Sequence, residues 1–126
     1  MVFDHIGIIN KNEDEAVRFY RDLLGLKKIK ESTVTSALSS RLFSLEREIK
    51  MLVFEVENIR IEIFIMPDFR PQLPNIPHFS LRVRDFKGFL ERIGRAGVRV
   101  ISGLRNDRTV YFIEDFSENR IEIKPL

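Results

Sequence analysis

The order of apolar and polar positions predicts the same set of elements twice along the chain. After Asn12, apolar residues recur at helical spacing and stop at Gly25, and a second run after Asp85 stops near Gly97. A short strand-like run, FDHIGII or HFSLRV, precedes each predicted helix. Three more follow it, KKIKESTV, KMLVFEVE and RIEIFIM in the first half and VRVIS, TVYFIE and RIEIKPL in the second. The pattern therefore predicts two tandem βαβββ repeats.

A proline-rich segment lies between the two repeats. The stretch PDFRPQLPNIP has four prolines in eleven residues, which disfavours both a helix and a central strand. We therefore predict one domain over 1–126, with a first module at 1–66, a linker at 67–77 and a second module at 78–126.

The spacing of matching residues supports a duplication. His5 lies 20 positions before Gly25, and His78 lies 19 positions before Gly97. The first repeat is longer as a whole, and its extra length fits an insertion around SALSSRLFSLERE. Within that repeat, the pair Glu57-Asn58 predicts a tight hairpin before the last strand.

The tetrapeptide RIEI closes each repeat and places a carboxylate between two isoleucines. Because strand side chains alternate between faces, the isoleucines are expected to face the helices, with Glu62 and Glu122 on the opposite side. The only two histidines, His5 and His78, lie in the opening strands and are expected on the glutamate side. Two His and two Glu at equivalent places form an N2O2 set that suits Zn, Ni, Co, Mn or Fe(II).

Composition excludes several other classes of function. Cysteine is absent, so disulfides, a thiolate nucleophile and thiolate metal ligands are excluded. The formal net charge is only +2, with basic and acidic residues interleaved, which argues against nucleic-acid binding. No apolar run is long enough to span a membrane, and the first ten residues do not resemble a signal peptide. We therefore expect a cytoplasmic protein whose partner is a small-molecule substrate.

Four stretches together resemble the vicinal oxygen chelate superfamily. They are FDHIGIINKNEDEAVRFYRDLLGL, ENIRIEIFIMP, HFSLRVRDFKGFLERIGRAGVRVIS and YFIEDFSENRIEIKPL. This group includes glyoxalase I, bleomycin resistance proteins, methylmalonyl-CoA epimerase, extradiol dioxygenases and fosfomycin resistance proteins. The resemblance implies an α+β fold in which two βαβββ modules form an open, cup-shaped sheet around a divalent metal. It also implies helices on the outer face and a homodimer.

Carried over by position, the resemblance implies that the metal ligands are His5, Glu62, His78 and Glu122. This chain departs from the family pattern before its last strand, where it reads DFSEN and many relatives have a Pro and a Gly. We therefore expect that turn to differ in shape.

The ligand set favours some activities of the superfamily over others. It looks most like that of bacterial-type glyoxalase I, whereas methylmalonyl-CoA epimerase usually has Gln at the position of Glu62. The resemblance implies a metal-dependent lyase or isomerase that removes a proton next to a carbonyl or hydroxyl that the metal holds. Glu122 is the first choice for the base and Glu62 the second. The alternatives are an epimerase of an acyl-CoA and a non-catalytic small-molecule binding protein of the same fold.

The substrate is less well defined by the sequence. The glutathione-binding positions of glyoxalase I are not recognisable in this chain. Side chains predicted on the glutamate side are candidates for substrate contacts, and these are Arg60, Arg120, Phe64 and Ser80. Further cations that would suit an anionic substrate are Lys124, Arg105 and Arg108.

Overall fold

The computed structural model describes all 126 residues, and the chain divides into two compact units. Unit 1 comprises Met1–Phe69 and unit 2 comprises Arg70–Leu126. Each unit has one four-stranded mixed sheet that does not close into a barrel. The structure thus has two sheets and three helices, which confirms the α+β class.

The sheet of unit 1 has the strand order β1-β4-β3-β2. Strand β1 pairs in parallel with β4, and the other neighbouring strands are antiparallel. The strands are β1 (His5–Asn10), β2 (Lys27–Val34), β3 (Ile49–Val56) and β4 (Ile59–Ile65). The predicted hairpin connects β3 to β4, with Glu57 in the left-handed region at φ 54°.

The sheet of unit 2 repeats this topology with the order β5-β8-β7-β6. Strand β5 pairs in parallel with β8, and the remaining pairs are antiparallel. The strands are β5 (His78–Val83), β6 (Val100–Arg105), β7 (Arg108–Glu114) and β8 (Arg120–Pro125). No helix or strand lies between β4 and β5, the region of the proline-rich segment.

Both predicted helices are present and begin directly after Asn12 and Asp85, as their apolar patterns predicted. Helix α1 (Glu13–Val17) begins after Asn12, whose side chain accepts a hydrogen bond from the Glu15 amide, and it continues as a π-helical segment over Arg18–Leu23. Helix α3 (Phe86–Arg95) begins after Asp85, whose side chain accepts from the Gly88 amide. Gly25 and Gly97 follow these helices with φ of 76° and 89°, a conformation that glycine adopts at low cost.

Each of these two helices covers the isoleucine side of its own sheet, which we call the helix face. In unit 1, the Tyr20 ring packs 5.7 Å from that of Phe54, which lies opposite Ile61 in the sheet. In unit 2, Phe86 packs 5.2 Å from Tyr111, which lies opposite Ile123. The fully buried apolar side chains here form the two cores, and they include Phe19, Leu52, Ile63, Ile93, Ile113 and Ile121.

The inserted stretch of the first repeat forms a helix that the sequence analysis did not predict. Helix α2 (Ser36–Phe43) begins after Thr35, whose hydroxyl accepts from the Leu38 amide. It ends at Ser44 in the left-handed conformation, at φ 55°. Its last residue, Phe43, packs 5.5 Å from Phe64, which shares its side of the sheet with Glu62. This helix therefore contacts the side opposite the helix face, which we call the carboxylate face.

Candidate functional site

Strands β1 and β4 bring His5 and Glu62 together on the carboxylate face of unit 1. In the parallel register, His5 lies opposite Arg60 and Gly7 lies opposite Glu62. The imidazole Nε2 of His5 lies 3.5 Å from a carboxylate oxygen of Glu62. The alternation along both strands thus places one nitrogen and one oxygen ligand candidate next to each other, as the sequence predicted.

The other ring nitrogen of His5 is already engaged by the neighbouring Asp4. Nδ1 lies 2.9 Å from the Asp4 carboxylate, which can only accept, so Nδ1 carries the proton. This hydrogen bond is the main reason that the pKa of His5 is raised, and Glu62 raises it further. The same bond lowers the pKa of Asp4. In the neutral imidazole, Nε2 therefore has a free lone pair directed away from Asp4.

The histidine of unit 2 has a similar arrangement with a different acceptor. Nδ1 of His78 donates to the carbonyl oxygen of Ile76 at 2.8 Å, so Nε2 is again left to bind a ligand. The His78 ring packs edge to face on Phe112 with centroids 4.9 Å apart, and Phe112 lies opposite Glu122 in the sheet. The Glu122 carboxylate itself pairs with the Lys124 ammonium at 3.0 Å.

The side chains of the four predicted ligands are of the types that bind divalent metals. Both histidines present Nε2 while an oxygen acceptor fixes the other nitrogen, an arrangement that orients imidazoles bound to metals in proteins. The carboxylates of Glu62 and Glu122 are partly exposed and on the matching faces. Within either unit, no group of three or more His, Asp and Glu side chains is close enough together to hold a metal.

The two arginines predicted to contact substrate are paired with carboxylates of their own sheets. Arg60 lies 3.8 Å from Glu55, its partner across β3 and β4. Arg120 lies 2.9 Å from Glu114, a buried carboxylate that also pairs with Arg99. The Arg120 contact is electrostatic, because its Nε makes no directed hydrogen bond. The Arg120 pair is largely buried, whereas the Arg60 pair is exposed to solvent and contributes little.

The two other predicted substrate residues also lie on the carboxylate faces. Ser80 is exposed on β5 and lies directly opposite Glu122. Phe64 lies two residues beyond Glu62 on β4. Its ring lies so close to Gly7 that a Cβ atom on that glycine would be 3.2 Å from a ring carbon. Glycine at this position therefore lets the Phe64 ring approach the neighbouring strand closely.

Phe64 borders a cavity of about 360 Å³ on the carboxylate face of unit 1. Its walls are almost entirely apolar and include Gly7, Ile9, Phe43, Ile49, Phe64 and Met66. Sequence reasoning missed this cavity because it did not assign α2. The sequence did contain a helix pattern in the inserted stretch. Thr35 suits a helix N-cap, and Leu38 and Leu42 follow it at helical spacing.

Unit 2 has a larger cleft, of about 970 Å³, whose lining includes Phe86, Tyr111 and Ile123 of the helix face as well as residues of the carboxylate face. Four cations and two carboxylates line it, and these are Arg82, Arg105, Arg108, Lys124, Asp107 and Glu122. Arg82 was not among the predicted residues, although its place in β5, two positions after Ser80, puts it on the same face.

The paired βαβββ units, each with a histidine and a glutamate on its carboxylate face, define a duplicated α+β protein. The model of the Glyoxalase/Bleomycin resistance protein/Dioxygenase superfamily matches residues 2–123. The chain belongs to this superfamily, which confirms the resemblance drawn from its motifs. No curated protein sequence matches the chain significantly.

Solved structures share the fold over nearly the whole chain at low sequence identity. A glyoxalase family protein from Enterococcus faecalis has a TM-score of 0.75 and 18% identity, covering 97% of this chain and 95% of that one. The trypanothione-dependent glyoxalase I of Leishmania major has a TM-score of 0.73 and 13% identity, covering 99% and 86%. A mutant of the fosfomycin resistance protein FosX from Listeria monocytogenes, in complex with Mn(II) and 1S,2S-dihydroxypropylphosphonic acid, has a TM-score of 0.72 and 20% identity, covering 98% and 90%. At these identities the likeness establishes the fold.

None of the helices is both long and apolar enough to cross a membrane.

Proposed function

We propose that this protein is a metal-dependent lyase or isomerase of the glyoxalase type, with His5, Glu62, His78 and Glu122 as the metal ligands. The observation that carries the proposal is the state of the two imidazoles. Each has its Nδ1 bonded to an oxygen acceptor and its Nε2 left available, and His5 Nε2 lies 3.5 Å from Glu62. The Mn(II) in the FosX complex supports a divalent ion, for which Zn, Ni, Co, Mn and Fe are the candidates.

A divalent metal, when bound, would supply an electrophile for the negative charge that develops on a substrate oxygen. The chain itself must supply a base that takes the proton from the neighbouring carbon. We assign this role first to Glu122. A base must be able to leave the metal, and the Lys124 ammonium, 3.0 Å from the Glu122 carboxylate, would pair with that carboxylate when it does. Glu62 is the alternative base. Ser80 and Phe64 are proposed to contact the substrate, since both lie on the carboxylate faces next to these glutamates.

Arg60 and Arg120 are proposed to support the site indirectly. Because Arg60 and Arg120 are paired with Glu55 and Glu114, they would position the strand ends and add positive charge near a substrate anion.

The ligand assignment predicts which side chains retain metal. Purified protein loaded with each candidate ion should hold it after dialysis, and His78→Ala and Glu62→Gln should weaken binding by about tenfold or more. Glu91→Gln is the matched control, since Glu91 is exposed on α3 and lies on no carboxylate face. Elemental analysis and metal titration provide the measurement. Wild-type protein that retains none of the five ions would overturn the assignment.

The reaction class is tested by solvent exchange. Metal-loaded protein in deuterium oxide should catalyse proton exchange in a hemithioacetal or in methylmalonyl-CoA, detected by NMR, and Glu122→Gln should lower the rate by at least about a hundredfold. Exchange only in methylmalonyl-CoA would favour the epimerase alternative. Bound metal without exchange in either compound would favour a non-catalytic binding protein.

A further inference from the structure

Strand β6 lies at one edge of the unit 2 sheet, where β7 is its only partner. The Arg99 carbonyl, just before β6, accepts a hydrogen bond from the Glu114 amide of β7. Because backbone groups alternate in direction along a strand, those of Val100, Ser102 and Leu104 point away from β7. Their N–H and C=O groups form a row with which a further strand can pair.

The side chains of β6 do not protect this edge. From Val100 to Leu104 the strand has no charged residue, and these two side chains are 38% and 81% exposed. The matching edge strand of unit 1, β2, has Lys27, Lys28 and Lys30 and an irregularity between the last two, features that keep edge strands from pairing. The two edges have therefore diverged, and β6 is the one suited to a partner strand.

A second copy of β6 fits this edge in an antiparallel arrangement about a two-fold axis at Ser102. With Ser102 opposite its own copy, Val100 lies opposite Leu104 of the second copy, and Ile101 lies opposite Gly103. Outward-pointing backbone groups then meet outward-pointing groups at every pair. The exposed side chains of Val100 and Leu104 cover each other on the side of the helix face, because Val100 lies opposite Ile113 of the core.

On the other side of the sheet, the same register fills a hollow. This depression, of about 270 Å³, lies on the carboxylate face, and its lining includes Ile101, Gly103, Val110 and Phe112. A Cβ atom added at Gly103 would meet no atom within 4 Å, so the space beside this glycine is open. The Ile101 side chain of the second copy, opposite Gly103, would occupy that space.

We propose that β6 is a homodimer interface, at which two copies pair edge to edge and join their unit 2 sheets into one. The strand is complementary to itself, since one register pairs apolar residues on one side and isoleucine with glycine on the other. The two-fold arrangement uses both free β6 edges and therefore closes at two chains. None of the proposed metal ligands lies on β6, so the inference goes beyond the proposed function.

Sedimentation velocity from about 1 to about 500 µM tests the interface, which is small enough that we expect a dissociation constant on the order of 10 µM. Ser102→Pro removes an outward N–H without removing a β6–β7 bond and should weaken dimerisation at least about tenfold. Ser102→Thr retains the N–H and should stay within about threefold of wild type. Wild-type protein that remains a single chain, or equal dimerisation of the two variants, would overturn the interface.

The register is tested by cross-linking, because the chain has no cysteine of its own. In the proposed pairing, positions 101 and 103 of opposite copies are about 4.5 Å apart between Cα atoms, within the range of a disulfide. A mixture of Ile101→Cys and Gly103→Cys chains should therefore cross-link with oxidised glutathione at least about tenfold faster than either variant alone. Equal rates would contradict the register. Both variants keep every backbone N–H, so they test the interface even if Ser102→Pro does not fold.

The ends of the paired strands provide a test in the opposite direction. The register places Arg105 opposite Arg99 of the second copy, a like-charge pair that the two-fold axis repeats. Arg105→Glu should therefore tighten the dimer about tenfold. Arg108→Glu changes the net charge equally and lies opposite Arg105 in the hairpin, but it is on β7 and should have no more than about a threefold effect. Equal tightening by both variants would trace the effect to net charge and contradict the register.

Discussion

At the scale of single residues, the two histidines are prepared for the same task by different neighbours. The Nδ1 proton of His5 is bound by the charged carboxylate of Asp4, whereas that of His78 is bound by the neutral backbone carbonyl of Ile76. The charged acceptor stabilises the imidazolium, and this is the main reason that the pKa of His5 is raised.

This difference predicts the effect of removing the Asp4 charge. In metal-free protein, Asp4→Asn should lower the pKa of His5 towards its ordinary value of about 6.5, because the largest cause of the raised pKa is the bond to Asp4. A raised folded-state pKa stabilises the folded protein below about pH 6.5, and this contribution is lost as the pH rises through the folded-state pKa. NMR titration of the His5 ring protons measures the shift.

The control for this titration is Asp14→Asn, which removes an exposed carboxylate from the first turn of α1. That change should leave the His5 titration as it is in the wild-type protein. A His5 pKa that is the same in Asp4→Asn and in wild type would show that the observed hydrogen bond does not control this imidazole.

At the scale of elements, the turn before the last strand is held by a buried carboxylate. The Asp115 carboxylate, 3% exposed, accepts hydrogen bonds from the Ser117 amide at 2.8 Å and from the Asn119 amide at 3.0 Å. The Asn119 side chain donates to its other oxygen at 2.8 Å, and Glu118 adopts a left-handed φ of 67°. A buried carboxylate thus fixes the turn that delivers β8, and with it Glu122.

Loss of this carboxylate should destabilise unit 2. Asp115→Ala leaves two backbone amides without their acceptor, and we expect the free energy of unfolding to fall by about 3 kcal/mol. Asp107→Ala removes an exposed carboxylate from the β6–β7 hairpin and should change it by less than about 0.5 kcal/mol. Urea denaturation measures both values. Equal stability of the two variants would mean that the turn is held by other contacts.

Helix α2 is the element whose role depends most on tertiary structure. Its sequence contains a cap and apolar residues at helical spacing, but Leu38, Leu42 and Phe43 remain about half exposed. The two predicted helices bury their apolar stripes on the helix faces, whereas α2 contacts the carboxylate face through Phe43. Local pattern identifies a helix, and only packing decides which face of a sheet it meets.

At the scale of the whole molecule, the division of the proposed ligands between two units bears on assembly. We expect a homodimer, as the family resemblance implies, with a mass in light scattering of twice the chain mass of 14.9 kDa. Metal titration should then give one ion per chain, because each chain has all four of the proposed ligands. A single-chain mass at all concentrations would contradict the dimer, and one ion per two chains would contradict the complete set.

Much of the architecture was predictable because it follows from local rules. Alternation along the two RIEI strands fixed which side each glutamate faces, and the caps at Asn12 and Asp85 fixed where two helices begin. The eight predicted strands all form. The details of the site were not predictable, since the pairing of Arg60 with Glu55 depends on the register between strands.

The sequence by itself determined the duplication, the strand faces and the equivalence of His5 with His78, because side-chain period and residue order are local properties of a chain. Tertiary structure alone decided that Asp4 and the Ile76 carbonyl take the Nδ1 protons, and that α2 closes an apolar cavity over Gly7. These features depend on which atoms come within a few ångströms of each other after folding. No period or spacing in the sequence encodes those distances.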